Sequence, residues 1–236
     1  MTAQRGEIPV LYEDNHVLVV IKPVNMPTQE DESGDLDLLT ALKEDLKHRH
    51  NKPGNVFLGL VHRLDRPVGG VMVFAKTSKA ASRLSDAVRT RSIGKEYAAV
   101  IHGKMSKPAG RLVHYLLKDA KTNTVSAVRK ESPGAKEAIL DYETIETGEG
   151  LSLVRVNLLT GRSHQIRVQF SSSGCPLYGD QKYGGDRNKP GQQIALWSIS
   201  VSFDHPTTKE RLVFTSAPPR QHPWNAWDAD MLLSAD

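Results

Sequence analysis

The sequence predicts an α+β fold, an extended mixed and largely antiparallel β-sheet flanked by a few helices. Three observations predict it. Strand patterns dominate the chain after Gly94, helical periodicity is confined to three stretches, and most connections are short turns. A regular βαβα alternation and a glycine-rich phosphate loop are both missing, which argues against a dinucleotide-binding or P-loop enzyme.

In chain order, HVLVVIK at 16–22 is a β-branched run closed by Pro23, the pattern of a buried strand. Leu36, Leu39, Leu42 and Leu46 recur at helical spacing, so 35–48 is expected to be an amphipathic helix, and NKPGN at 51–55 a turn. An apolar strand (FLGLV) precedes His62, and GVMVFAK at 70–76 is another strand. Thr77 or Ser78 is placed to cap a helix whose face is Ala80, Leu84 and Val88. Strands are then expected around 96–101, 111–117, 124–129, 136–146, 151–159, 194–203 and 211–215, interrupted by a short helix at about 163–172. Residues 131–136 (ESPGAK) are expected to be a surface loop within one sheet. The expected organisation is an N-terminal extension (1–9), one domain (10–220) without an internal boundary, and a C-terminal tail (221–236).

At 236 residues, with 39% hydrophobic and 25% charged, the chain has the composition of a globular protein with a substantial core. Its apolar runs are too short to span a membrane, and the first ten residues carry no apolar signal segment. Cys175 is the only cysteine, which excludes an intrachain disulfide and a multi-cysteine zinc site. A cytoplasmic location is expected. Charge is uneven: residues 76–130 hold 13 Lys/Arg against three acids, net +10, leaving −6 elsewhere in a chain of +4. Glu30, Asp31, Glu32, Asp35 and Asp37 form an acidic patch. A basic middle in a near-neutral chain suits a polyanionic partner.

Three segments concentrate chemistry-bearing residues. Val61-His62-Arg63-Leu64-Asp65-Arg66-Pro67 sets a carboxylate between two guanidinium groups, after an apolar strand and before a Pro-Val-Gly-Gly turn. Strand-end loops are where a rigid scaffold presents reactive groups, and neighbouring cations favour the charged carboxylate that an anionic nucleophile requires. In Leu159-Thr160-Gly161-Arg162-Ser163-His164-Gln165-Ile166-Arg167, Gly161 allows a tight entry and Ser163 is placed to cap a helix with an exposed first turn. Ser163, Ile166 and Arg167 share a side of that helix, from which Arg167 could clamp a carboxylate. In Ile93-Gly94-Lys95-Glu96-Tyr97, Lys95 and Tyr97 share a strand face at period two, where a tyrosine can stack on a base or handle a proton.

HRLDR, then K-x-Y, then GR-x-HQIR and a G-x-P-x-x-GD-x-x-YG stretch (Gly174 to Gly184) resemble, in order, the RluA-type pseudouridine synthases. Tyr12-Glu13-Asp14, Lys22-Pro23, His205-Pro206 and Ala217-Pro218-Pro219 extend the resemblance across residues 12–219. It implies a catalytic cleft across the sheet and an isomerase that converts uridine in structured ribosomal or transfer RNA to pseudouridine. It also implies that no cofactor or metal takes part. By the same resemblance Asp65 is the catalytic acid, Tyr97 packs on the target base and assists proton removal from C5, and Arg167 pairs with Asp65. Ile166 lines the pocket, while His62, Arg63, Arg66, Lys95, Arg162 and His164 are expected to orient or contact the RNA.

Gly69, Ile21, Trp197 and Asn25 depart from the residues usual in that family (serine, asparagine, histidine and glycine), which touches loop shape rather than the three central residues. The chain is expected to act as a monomer, without a membrane and without an N-terminal S4-like module. Two other classes compete: a catalytically silent RNA-binding protein of the same fold, and a metal-dependent hydrolase using His62 and Asp65. A kinase, suggested by His62-Arg63-Leu64-Asp65, is excluded because neither a glycine-rich loop nor an Asp-Phe-Gly accompanies it.

Overall fold

A computed structural model describes residues 8–228 and 230–233, so most of the expected N-terminal extension lies outside the described residues. The strands are β1 (Val10–Glu13), β2 (Val17–Lys22), β3 (Gly59–Leu60), β4 (Gly69–Ala75), β5 (Gly94–His102), β6 (Ala109–Asp119), β7 (Thr124–Val128), β8 (Lys136–Gly148), β9 (Leu151–Leu158), β10 (Leu196–Asp204) and β11 (Arg211–Thr215). The α-helices are α1 (Leu38–Arg49), α2 (Ser78–Arg89), α3 (Gln165–Ser172) and α4 (Asp230–Leu233). The architecture is α+β, with mostly antiparallel strands. The chain divides into two compact units, Met1–Ile93 with Val201–Ser216, and Gly94–Ser200 with Ala217–Asp236. The chain passes between the units three times: at Gly94, which opens β5 directly, inside β10, and between Ser216 and Ala217, just after β11.

In the first unit β2 is paired antiparallel with β1 and β4, and β3 adds to β4. β4 is buried along its whole length, which explains why GGVMVFA shows no polar alternation. Val17, Val19, Val71, Val73 and Ala75 pack with Ala80 and Leu84 of α2 and with Val201 and Phe203 of β10. Thr77 caps α2 by accepting the Ala80 N–H, one of the two expected possibilities. Gly59 permits that packing, since a Cβ there would lie 2.9 Å from the Ala81 Cβ. The strand read in FLGLV shrinks to two residues.

Helix α1 corrects the expected register. It starts at Leu38, capped by Asp37 accepting from Thr40, and buries Leu38, Leu42 and Leu46, while Leu36 is exposed. The cap sets the face, because the chain before Asp37 is not helical and Leu36 cannot join the stripe. Near β1, Glu13 accepts from Lys76, Arg49 and His50. Burial pushes its pKa up, but these donors outweigh it and bring it down to about 2. Asp14 accepts the His16 and Val17 N–H groups at 2.7 Å and lies 2.9 Å from His205 Nε2. The Tyr12-Glu13-Asp14 and His205-Pro206 signatures thus serve as scaffold.

In the second unit, strands β5 to β9 pair antiparallel in the order β5-β9-β8-β6-β7, so that β9 and β8 lie between β5 and β6. Helix α3 packs Val168 against Leu116, Val125 and Ala138. The fully buried Gln169 amide donates to the Leu112 and Ala138 carbonyls, fixing α3 over β6 and β8. Residues 129–135 form the connection read in the sequence as a surface loop.

Leu42→Ala is expected to cost about 2–5 kcal/mol, as deletion of a buried leucine does, and Leu36→Ala less than about 0.5 kcal/mol. Urea unfolding of the two variants checks the helix face, and equal losses would restore the register read from sequence.

Candidate active site

In the first unit the loop bearing Asp65 is tied down from three directions. Lys22, at the end of β2, is fully buried and donates from Nζ to the carbonyls of Pro23 (2.9 Å), Arg66 (3.0 Å) and Val68 (2.7 Å). Thr28 donates to the Leu64 carbonyl at 2.8 Å. His62 Nε2 accepts the Val73 N–H of β4 at 3.1 Å, which fixes the proton on Nδ1. Leu64 and Val68 are buried, and the Val68 N–H closes a turn on the Asp65 carbonyl at 2.9 Å. Asp65 is therefore half-buried on a loop whose backbone is held on both sides of it.

Burial pulls the Lys22 ammonium down to about 7, with Asp65 opposing that shift and Arg66 adding to it. Arg63 is exposed. Arg66 pairs with Asp35 and lies 3.7 Å from Asp31, so the acidic segment folds back onto the loop and engages a guanidinium expected to meet RNA.

In the second unit Lys95 and Tyr97 are both buried on one face of β5, as their spacing predicts. Arg167 on α3 makes a bidentate pair with Asp180, Nε to Oδ2 and Nη2 to Oδ1, both at 2.8 Å. Both partners are buried. Asp180 also accepts the N–H groups of Lys182 and Tyr183, and the Arg167 guanidinium stacks 5.1 Å from the Tyr183 ring centroid. Asn188 holds this turn, accepting from Gly179 and donating to the Leu177 and Asp180 carbonyls.

The turn before α3 corrects the expected cap. His164, not Ser163, occupies the cap position in a left-handed conformation (φ 51°) and makes no side-chain cap bond. Gln165 does the anchoring, accepting from Thr160 Oγ1 and the Arg162 N–H and donating to the Ile139 carbonyl. The first turn is buried rather than exposed, Gln165, Ile166 and Arg167 included. His164 Nδ1 lies 2.6 Å from the Tyr183 hydroxyl, and Arg162 is exposed with Nε on the Glu137 carbonyl.

The structure thus gathers His62, Arg63, Asp65 and Arg66 on one loop, Lys95 and Tyr97 on one strand, and Arg162, His164, Ile166 and Arg167 around one turn and helix. Sequence reasoning gave no role to Lys22, Thr28, Thr160, Gln165, Asp180, Tyr183 or Asn188. One signal was available: a buried arginine requires a buried acid, and Asp180 stands in the GD-x-x-YG signature.

Residues 16–172 match the family described as RNA pseudouridylate synthase. An uncharacterized RNA pseudouridine synthase of Bacillus subtilis, YhcT, is 34% identical over 218 residues, covering 88% of this chain and 68% of the relative. Ribosomal large subunit pseudouridine synthase D of Vibrio parahaemolyticus is 33% identical over 231 residues, covering 92% and 69%. In fold, the solved human RNA pseudouridylate synthase domain containing 4 is similar with a TM-score of 0.75 at 24% identity, covering 90% of this chain and 89% of that one. The chain belongs to the RNA pseudouridylate synthase family, in its RluA-type branch, and its reaction is the isomerisation of uridine in RNA to pseudouridine.

Two outcomes are expected. Arg167→Ala strands Asp180 as a buried unpaired charge and should cost roughly 3–5 kcal/mol, with much less lost when both partners become apolar; equal urea midpoints for wild type and Arg167→Ala would show that the pair contributes nothing. Lys22 supplies a pH signature. Its folded pKa lies below its unfolded value, so above about pH 7 the unfolded chain binds more protons and stability gains a rising component up to about pH 10. The stability of wild type relative to Lys22→Met should therefore grow between pH 7 and 9, and a difference that is flat or shrinking would contradict the burial of that ammonium.

Proposed function

We propose that the substrate is a uridine in a stem-loop of ribosomal or transfer RNA, and that Asp65, Tyr97 and Arg167 carry the isomerisation. The observation that supports this most is the Asp65 loop, a carboxylate presented on a backbone fixed by Lys22, Thr28 and His62. Such anchoring restricts the carboxylate's position before substrate arrives, the pre-organisation that a positioned acid needs.

The reaction breaks the N1–C1′ bond, turns the uracil and joins C1′ to C5. The C5 hydrogen leaves as a proton and N1 gains one, so atoms and electrons balance without an oxidant or a transferred group. Asp65 attacks C1′, adds to the ring or removes the C2′ proton; all three routes require an ionised acid held in place. Arg167, its guanidinium oriented by Asp180, supplies the positive charge that stabilises the acid. Tyr97 offers a ring to the extruded base and a hydroxyl for proton handling at C5. Extrusion costs a few kcal/mol and least in loops, which favours stem-loop substrates.

Arg63 and Arg162, both exposed, contact flanking phosphates. His62, Arg66 and His164 act mainly through the protein contacts described above. The ribosomal assignment of the Vibrio relative supports ribosomal RNA as the substrate. One chain supplies the acid, the tyrosine and the arginine, consistent with a cytoplasmic monomer; no helix among the described residues is long and apolar enough to cross a membrane.

Asp65→Asn should lower turnover by on the order of 10³-fold or more while RNA binding and the melting temperature persist. Tritium release from 5-labelled uridine RNA measures the turnover, and near-wild-type release would overturn the assignment. Pseudouridine mapping of cellular RNA with and without the protein identifies the substrate.

A further inference from the structure

Lys22, Lys95 and Arg167 are the buried lysines and arginines among the described residues. Two of them are compensated, Lys22 by three carbonyls and Arg167 by a carboxylate. Lys95 is not. Only 8% of it is exposed, and among the described residues its ammonium has no hydrogen-bond acceptor and no carboxylate partner. Burial is the one influence on its pKa, which it lowers; no nearby charge offsets it. A buried cation without a counter-charge is costly, and such groups are usually paired or apolar.

The surroundings of that ammonium are built to leave it room. A Cβ on Gly161 would stand 3.3 Å from Lys95 Nζ, so a side chain there would press on the ammonium. The turn is rigid, held by Gln165 through the Thr160 hydroxyl and the Arg162 N–H, and it carries a second cation, Arg162, exposed to solvent. Tyr97 lies two residues on, along the same strand face.

We propose that Lys95 and the Gly161-Arg162 turn bind a phosphate of the RNA backbone, the missing counter-charge arriving with the substrate. This rests on the reading of the chain as an RNA isomerase and adds a phosphate site to it. The nucleotide whose phosphate Lys95 holds is the one presented to Tyr97 or its immediate neighbour. Arg162 strengthens the site from the exposed side of the turn.

Lys95→Met tests it against a structural role. Removing an uncompensated buried charge should leave the melting temperature unchanged or raise it, whereas loss of a structural contact would lower it. With a fluorescein-labelled uridine-containing stem-loop RNA, Kd should rise and the slope of log K against log salt should shrink by about one phosphate contact. KM should rise more than kcat falls, and Lys95→Arg should restore most of the slope. A wild type that forms pseudouridine while Lys95→Met keeps the full slope overturns the phosphate site alone. So does a lowered melting temperature with the slope intact. A wild type that forms no pseudouridine in cellular RNA overturns the reading beneath it.

Discussion

The ammonium of Lys22 is the interaction on which the presentation of Asp65 depends. A lysine is rarely free of water, because burying its charge is costly unless polar groups replace the lost hydration. Here three backbone carbonyls replace it, two of them from the loop that carries the acid. The cost of burial is offset only when Arg66 and Val68 hold their places, so the charge and the loop conformation are coupled. Thr28 and His62 complete the arrangement with neutral hydrogen bonds.

The second unit solves a similar problem with a different partner. Arg167 sits on a short helix without a side-chain cap, and its orientation comes from Asp180 and the Tyr183 ring. A planar guanidinium in a bidentate pair is fixed in two dimensions, which a lysine at that position would not achieve. Asp180 in turn is held by the N–H groups of its own turn and by Asn188. The GD-x-x-YG signature is a support for an arginine distant in sequence.

Together the three buried cations form a series. Lys22 is solvated by backbone carbonyls and Arg167 is paired with a carboxylate, whereas among the described residues Lys95 has neither. In the first two the protein itself holds the charged group in place. The third carries the cost of an open charge, which is the price of leaving a place for an anion.

Much of this was legible in the sequence. The runs 16–22 and 70–76 announced buried strands because β-branched residues without polar alternation fit only a sheet covered on both faces. The period-two placement of Lys95 and Tyr97 and the caps expected at Thr77 or Ser78 follow from local backbone geometry, which neighbours in sequence control. The register of α1 and the cap of α3 were misread. In each case one polar side chain, Asp37 or Gln165, redirected the turn through a contact that composition does not reveal.

The sequence by itself determined the class of fold, the order of the strands along the chain and the segments that carry reactive groups, since these depend on local periodicity and residue chemistry. Tertiary structure alone decided which charges are compensated. Lys22 meets Val68 across 46 positions and Arg167 meets Asp180 across 13, and such pairings arise from packing distant elements, where desolvation makes each partner obligatory.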